Sequence, residues 1–187
     1  MSVILEQLEV LRDFTERLET LSISYMLTGS IAMAYYALPR MTADIDIVIE
    51  TNLEQCDHII KFFEPEYYIP HGSMRSAISY KTIFNMLHEN TLVKIDWIVR
   101  KSDDYQINAF NRRSRVEFAN FDIWIISHED LILAKLDWAR KNDSEMQLRD
   151  VANLLRGKID LEYLKFWAPK INVQETLNKM LDELNND

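Results

Sequence analysis

The feature that most limits how this chain can fold is Asp44-Ile45-Asp46-Ile47-Val48-Ile49, a β-branched run that opens on two carboxylates one residue apart. β-Branched side chains favour a pleated strand, and alternate strand positions share one face. Asp44 and Asp46 therefore face the same way and repel each other unless a cation sits between them. Oxygen ligands in that arrangement suit Mg2+ or Mn2+. Just upstream, the short apolar strand 24–27 is broken by Gly29, one of only three glycines in the chain. Glycine lets the backbone turn sharply and lets a ligand approach closely. Ser30 is expected to cap a helix over 31–38, whose unpaired N–H groups would face an anion, and Pro39 to stop it.

A third carboxylate, Asp96, lies inside the apolar strand Val93-Lys94-Ile95-Asp96-Trp97-Ile98-Val99. There it needs a partner or a metal. Lys94, two residues away on the same face, keeps a structural ion pair open beside the metal reading. Backbone N–H groups for phosphates and two or three carboxylates for metal are what phosphoryl transfer asks of a protein. Asp96 would then complete the ligand set or take a proton from an attacking hydroxyl.

The remaining periodicity supplies a frame. Ile4, Leu8, Leu11, Phe14, Leu18 and Leu21 form one stripe of an amphipathic helix over 3–21. A helix over 53–63, a strand over 67–69 and a turn at 71–73 follow. Residues 73–80 read as one or two helical turns. Residues 82–87 and 92–99 read as a hairpin, and 121–126 as a strand. Ser127 and Asp130 have capping-box spacing at the start of a helix to about residue 140, and helices over 144–155, 161–167 and 173–184 come after it. The fold class is α/β (α+β): a mixed-sheet core over 1–126 and a C-terminal helical region over 127–187.

Charge narrows the partners. The net charge is −9, and residues 1–66 alone carry four basic and twelve acidic side chains, against twelve and eleven over 67–149. A general grip on nucleic acid is not expected, although the basic residues Arg100, Lys101, Arg112, Arg113 and Arg115 leave a local one open. No apolar run is long enough to span a membrane, and the N-terminus lacks a basic flank, so no membrane partner is expected. Cys56 is the sole cysteine, which excludes an internal disulfide, and a cytoplasmic location is expected. Tyr35, Tyr36, Trp97 and Trp138 are candidates to stack a base, with core packing the competing role.

Gly29-Ser30, then Asp44-Ile45-Asp46, then a later strand aspartate in Asp96 resembles the DNA polymerase β-like nucleotidyltransferase superfamily. Arg40-Met41-Thr42-Ala43-Asp44-Ile45-Asp46 and Ser127-His128-Glu129-Asp130-Leu131-Ile132-Leu133-Ala134-Lys135-Leu136 are similar to blocks in small stand-alone bacterial relatives of the AbiEii-type toxins. The resemblance implies transfer of an NMP from an NTP substrate to an acceptor hydroxyl on RNA, protein or a small molecule. It implies Mg2+ (or Mn2+) held by Asp44, Asp46 and Asp96, and a triphosphate held by Gly29 and Ser30. Lys135 would reach the nucleotide phosphates or stay solvated. Asp150 would serve the nucleotide site or a helix-packing salt bridge. Arg40 would contact the triphosphate or pair with Asp44. A role in a toxin–antitoxin or phage-defence system is implied, with tRNA or protein as acceptor and a cognate antitoxin or a homo-oligomer as partner. A catalytically inactive nucleotide- or partner-binding module of the same fold is the alternative.

Overall fold

The computed structural model describes residues 3–38, 40, 42 and 44–185. The expected helix stop at Pro39 and parts of the block around Arg40 lie outside the described residues, as does the side chain of Ile4.

The core is a seven-stranded mixed sheet in the order β3-β4-β5-β2-β1-β7-β6. Its strands are β1 (Ser24–Thr28), β2 (Asp44–Glu50), β3 (Tyr67–Tyr68), β4 (Ile83–His88), β5 (Lys94–Val99), β6 (Ser114–Phe118) and β7 (Phe121–Ile125). β2 runs antiparallel to β1 and parallel to β5. The central strands read as apolar runs because both faces are covered. Helix α1 (Val3–Thr20) lays Leu11, Phe14 and Leu18, all fully buried, against one face. Phe14 meets Trp97 of β5 edge-on at 5.4 Å, so Ile95, Trp97 and Val99 face α1. By strand alternation Asp96 faces the other side. On that side α2 (Gly29–Tyr36) packs on β1 and β2, and α6 (His128–Asn142) and α7 (Glu145–Leu155) pack against α2.

The remaining helices are α3 (Cys56–Phe63), α4 (His71–Tyr80), α5 (Asp104–Asn111), α8 (Leu161–Trp167) and α9 (Gln174–Asn185). Among the described residues no helix is long and apolar enough to cross a membrane.

Two local expectations are corrected. Ser30 is not the cap of α2: the cap is Thr28, Gly29 is the first helical residue at φ +66°, and Ser30 lies buried in the first turn. The left-handed glycine carries β1 straight into the helix and leaves no separate capping position. His71-Gly72-Ser73 is no turn but the start of α4, where Met74, Ala77 and Ile78 at helical spacing bury one face. The basic stretch from residue 100 contains a helix and a strand. Asp103 accepts the Gln106 N–H to cap α5, and Tyr105, Ala109 and Phe110 bury its inner face. β6 then pairs with β7 through Ala119 and Asn120, both at positive φ, as a tight hairpin turn demands.

Ser127 caps α6, yet the box does not close in its usual form. Asp130 is fully buried and takes hydrogen bonds from Ser127 Oγ at 2.6 Å and the Tyr163 hydroxyl at 2.7 Å, with Arg112 Nε at 3.3 Å. One carboxylate thus joins α6 to α8 and to the end of α5.

Candidate active site

Strand register assembles the carboxylates. In the parallel β2–β5 pair, Asp46 stands opposite Asp96 and Asp44 opposite Lys94; on the other side of β2, Thr28 stands opposite Asp46. All three aspartates singled out in the sequence therefore meet at one place: the start of β2 and β5 and the end of β1. Gly29 lies against them, because a β-carbon there would fall 1.9 Å from Asp46 Oδ2.

Burial makes this cluster uncomfortable. The Asp46 carboxyl is pushed up to about 6 by burial and then by its neighbours Asp96 and Asp44. Burial also raises Asp96, although the Lys94 ammonium opposes the shift. Lys94 Nζ lies 3.0 Å from Asp44 Oδ2 and 3.2 Å from Asp96 Oδ1. Burial works against its charge, but the bonds to Asp44 and Asp96 outweigh it and raise its pKa. Asp96 Oδ1, although within ion-pair range, is buried and accepts no hydrogen bond among the described residues; the Lys94 bond goes to Oδ2 at 3.4 Å.

A divalent cation fits the chemistry of this donor set. The donors are hard carboxylate oxygens on one sheet face, one of them lacks a hydrogen bond, and the pair Asp46–Asp96 destabilises its own charge. As the side chains stand, with Lys94 between Asp44 and Asp96, no three acidic, His or Cys side chains among the described residues are gathered closely enough to chelate an ion.

The cluster opens into a cavity of about 830 Å3 between the sheet and α6. Its floor is apolar, with Met26, Val48 and Ile98 continuing the face that carries the aspartates. α6 contributes Ala134, Lys135 and Trp138, the last 49% exposed. Of the four aromatic candidates, Trp138 alone lines the cavity. Trp97 is core, stacked on Phe84, and Tyr36 stacks on His128 with its hydroxyl donated to the Ile126 carbonyl.

Arg40, Lys135 and Asp150 also meet. Lys135 is buried and donates to Asp150 Oδ2 at 2.7 Å and to Gln147 at 2.9 Å. Arg40 Nε reaches the same carboxylate at 3.0 Å. Burial lowers the Lys135 pKa although Asp150 favours its charge. Lys135 is thus an interior cation on the cavity wall, not a solvated one. Arg149 points away and pairs with Glu145. Trp138 follows Lys135 by three residues on α6 and so shares its face, whereas Gln147, which the sequence did not single out, comes from α7 and no local spacing ties it to Lys135.

A family profile described as "Nucleotidyltransferase of unknown function (DUF6036)" matches residues 2–185. No curated protein matches the chain. Solved structures share its fold. A protein of Thermotoga maritima classed as a nucleotidyltransferase superposes with a TM-score of 0.53 at 20% identity, covering 77% of this chain and 91% of that one. The lincomycin-bound lincosamide antibiotic adenylyltransferase LnuA gives 0.51 at 17% identity, with 80% and 95% covered. ANT(2'')-Ia in complex with adenylyl-2''-tobramycin gives 0.59 at 10% identity, with 89% and 97% covered. At these identities the likeness is one of fold.

Proposed function

The chain belongs to the DUF6036 family of nucleotidyltransferases, and from that premise we propose that it is a metal-dependent enzyme that moves an NMP from an NTP to an acceptor hydroxyl. The observation that carries this reading is the register of Asp46 against Asp96, with Asp44 beside them and Gly29-Ser30 at the adjoining helix start. In this reading Asp44, Asp46 and Asp96 hold Mg2+ or Mn2+, which neutralises charge on the phosphates and aligns them. The N–H groups at the start of α2 bind the triphosphate. Asp96 receives the proton of the acceptor hydroxyl as its oxygen bonds to the α-phosphorus and pyrophosphate departs. Arg40, Lys135 and Asp150 form the wall on which the nucleotide rests. The core over 1–126 supplies the carboxylates and Arg40, and the region over 127–187 supplies Lys135 and Asp150.

The adenylyltransferase likenesses favour a small-molecule hydroxyl as acceptor, and the net charge of −9 disfavours tRNA. Kinship to AbiEii-type toxins, with a cognate antitoxin, is the narrower form of the reading and would show as a partner that co-purifies and blocks transfer. A non-catalytic nucleotide-binding module is the second reading, favoured by the Lys94 bridge between Asp44 and Asp96.

The test is transfer of label from each α-labelled NTP, with Mg2+, to small hydroxylic metabolites, RNA or protein, beside Asp46→Asn. Label transferred by the wild type and not by the variant supports the enzyme. Nucleotide binding without transfer to any acceptor supports the second reading.

A further inference from the structure

The Lys94 ammonium lies where a cation belongs. It contacts Asp44 and Asp96 at 3.0 and 3.2 Å, directly across β2 and β5. Its side chain is 37% exposed, so it has a way out toward solvent. Asp96 Oδ1 is held within ion-pair range yet left without a hydrogen bond among the described residues, an arrangement an ion satisfies better than a tethered ammonium. While Lys94 stays, no three ligands are gathered for a metal among the described residues.

Resting on the metal-dependent reading above, we propose that Lys94 is a resident counter-ion. It holds Asp44 and Asp96 in the metal-free protein and yields them when a divalent cation binds. The displaced ammonium then turns onto the anionic oxygens of the bound nucleotide. Lys94 is in this sense a positioning residue. Two consequences follow from charge alone. Lys94 competes with the metal, so it weakens metal binding to the nucleotide-free protein. Nucleotide gives the ammonium a new partner, so it strengthens metal binding, and by linkage metal strengthens nucleotide binding equally. The site would then load metal and nucleotide together and resist filling with metal alone.

The test measures metal, not turnover. Mn2+ binding to the full chain is followed by the paramagnetic resonance of free Mn2+, with and without ATP, for wild type, Lys94→Met, Lys94→Arg and Asp46→Asn. Lys94→Met keeps the apolar stem and removes the charge. It is expected to bind Mn2+ about tenfold or more tightly without ATP, and to lose most of the strengthening that ATP gives the wild type. Lys94→Arg keeps weak binding. Thermal melting gives a second measure: Mn2+ should raise the Tm of Lys94→Met more than that of wild type. Equal or weaker Mn2+ binding by Lys94→Met, with binding still abolished by Asp46→Asn, overturns the counter-ion and leaves the metal site standing. Mn2+ binding indifferent to Asp46→Asn overturns both.

Discussion

A β-carbon at residue 29 would stand 1.9 Å from Oδ2 of Asp46, closer than any non-bonded contact allows. Gly29 also sits at φ +66°, which side chains rarely adopt. Two independent demands fall on one residue: the turn from β1 into α2, and room for the carboxylate beside it. Gly29→Ala must therefore strain the backbone and displace Asp46 at once. The expected cost is about 1–3 kcal/mol of stability. Calorimetric titration should show nucleotide binding lost beyond what the change in Tm explains, because the helix start and the ligand move together. A variant with unchanged Tm and nucleotide affinity would refute the double role.

Asp46 makes the metal-free protein sensitive to pH in a defined direction. Its folded pKa, about 6, lies above the ordinary 3.8, because of burial and then the charges of Asp96 and Asp44. The folded state therefore holds this proton more tightly than the unfolded state. Between about pH 4 and pH 6 stability contributed here falls as pH rises, and above pH 6 the loss is complete. Denaturant unfolding in a chelator should show a decline of order 3 kcal/mol across that window. Asp46→Asn should remove the decline while lowering transfer at least about a hundredfold. A wild-type curve that rises through the window would contradict this environment for Asp46.

Much of the site was legible because strand alternation is a strict rule. Asp44 and Asp46 had to share a face, and Lys94 and Asp96 had to share another strand's face. What the sequence could not supply was the register between β2 and β5, which sets Asp46 beside Asp96 and Lys94 beside Asp44. That register depends on the apolar pairs Ile45–Ile95 and Ile47–Trp97 packing together against α1, a tertiary matter. Ser30 was misplaced as a cap for a similar reason: a glycine at positive φ shifts the helix start by two residues. The basic charges over 100–118 hid α5 and β6, because their apolar anchors Tyr105, Phe110 and Val116 are sparse and lie among arginines. Arg40 found Asp150, more than a hundred residues away, and no local pattern announces such a pairing.

Asp150 neutralises Lys135 inside the protein, each side chain being 4% exposed. Removing one member leaves a buried charge without its partner, which costs more than the pair contributes. Asp150→Ala should lower stability by about 3–5 kcal/mol. The double variant Lys135→Met, Asp150→Leu should recover most of it, since apolar side chains of similar size tolerate the same space. If the pair also serves the nucleotide, the recovered double variant will still bind NTP poorly, and equilibrium dialysis separates the outcomes. Full NTP affinity in the stable double variant would make the pair purely structural.

Trp138 offers the opposite case, a large side chain the fold does not need. It is 49% exposed on α6 and lines the cavity beside Lys135. Half-exposed aromatic surface contributes little to the core, so Trp138→Ala should change stability by no more than about 0.5 kcal/mol. An aromatic wall stacking on a planar ring is worth about 1–3 kcal/mol. Because such a contact holds ground state and transition state alike, its loss should raise KM roughly 5- to 100-fold and leave kcat nearly unchanged. Varying NTP and acceptor in turn will show which of them the indole holds: the KM that rises identifies the ligand above Ala134 and Trp138. A fall in kcat with both KM values steady would place Trp138 in the closing of the site around the carboxylates and not in recognition.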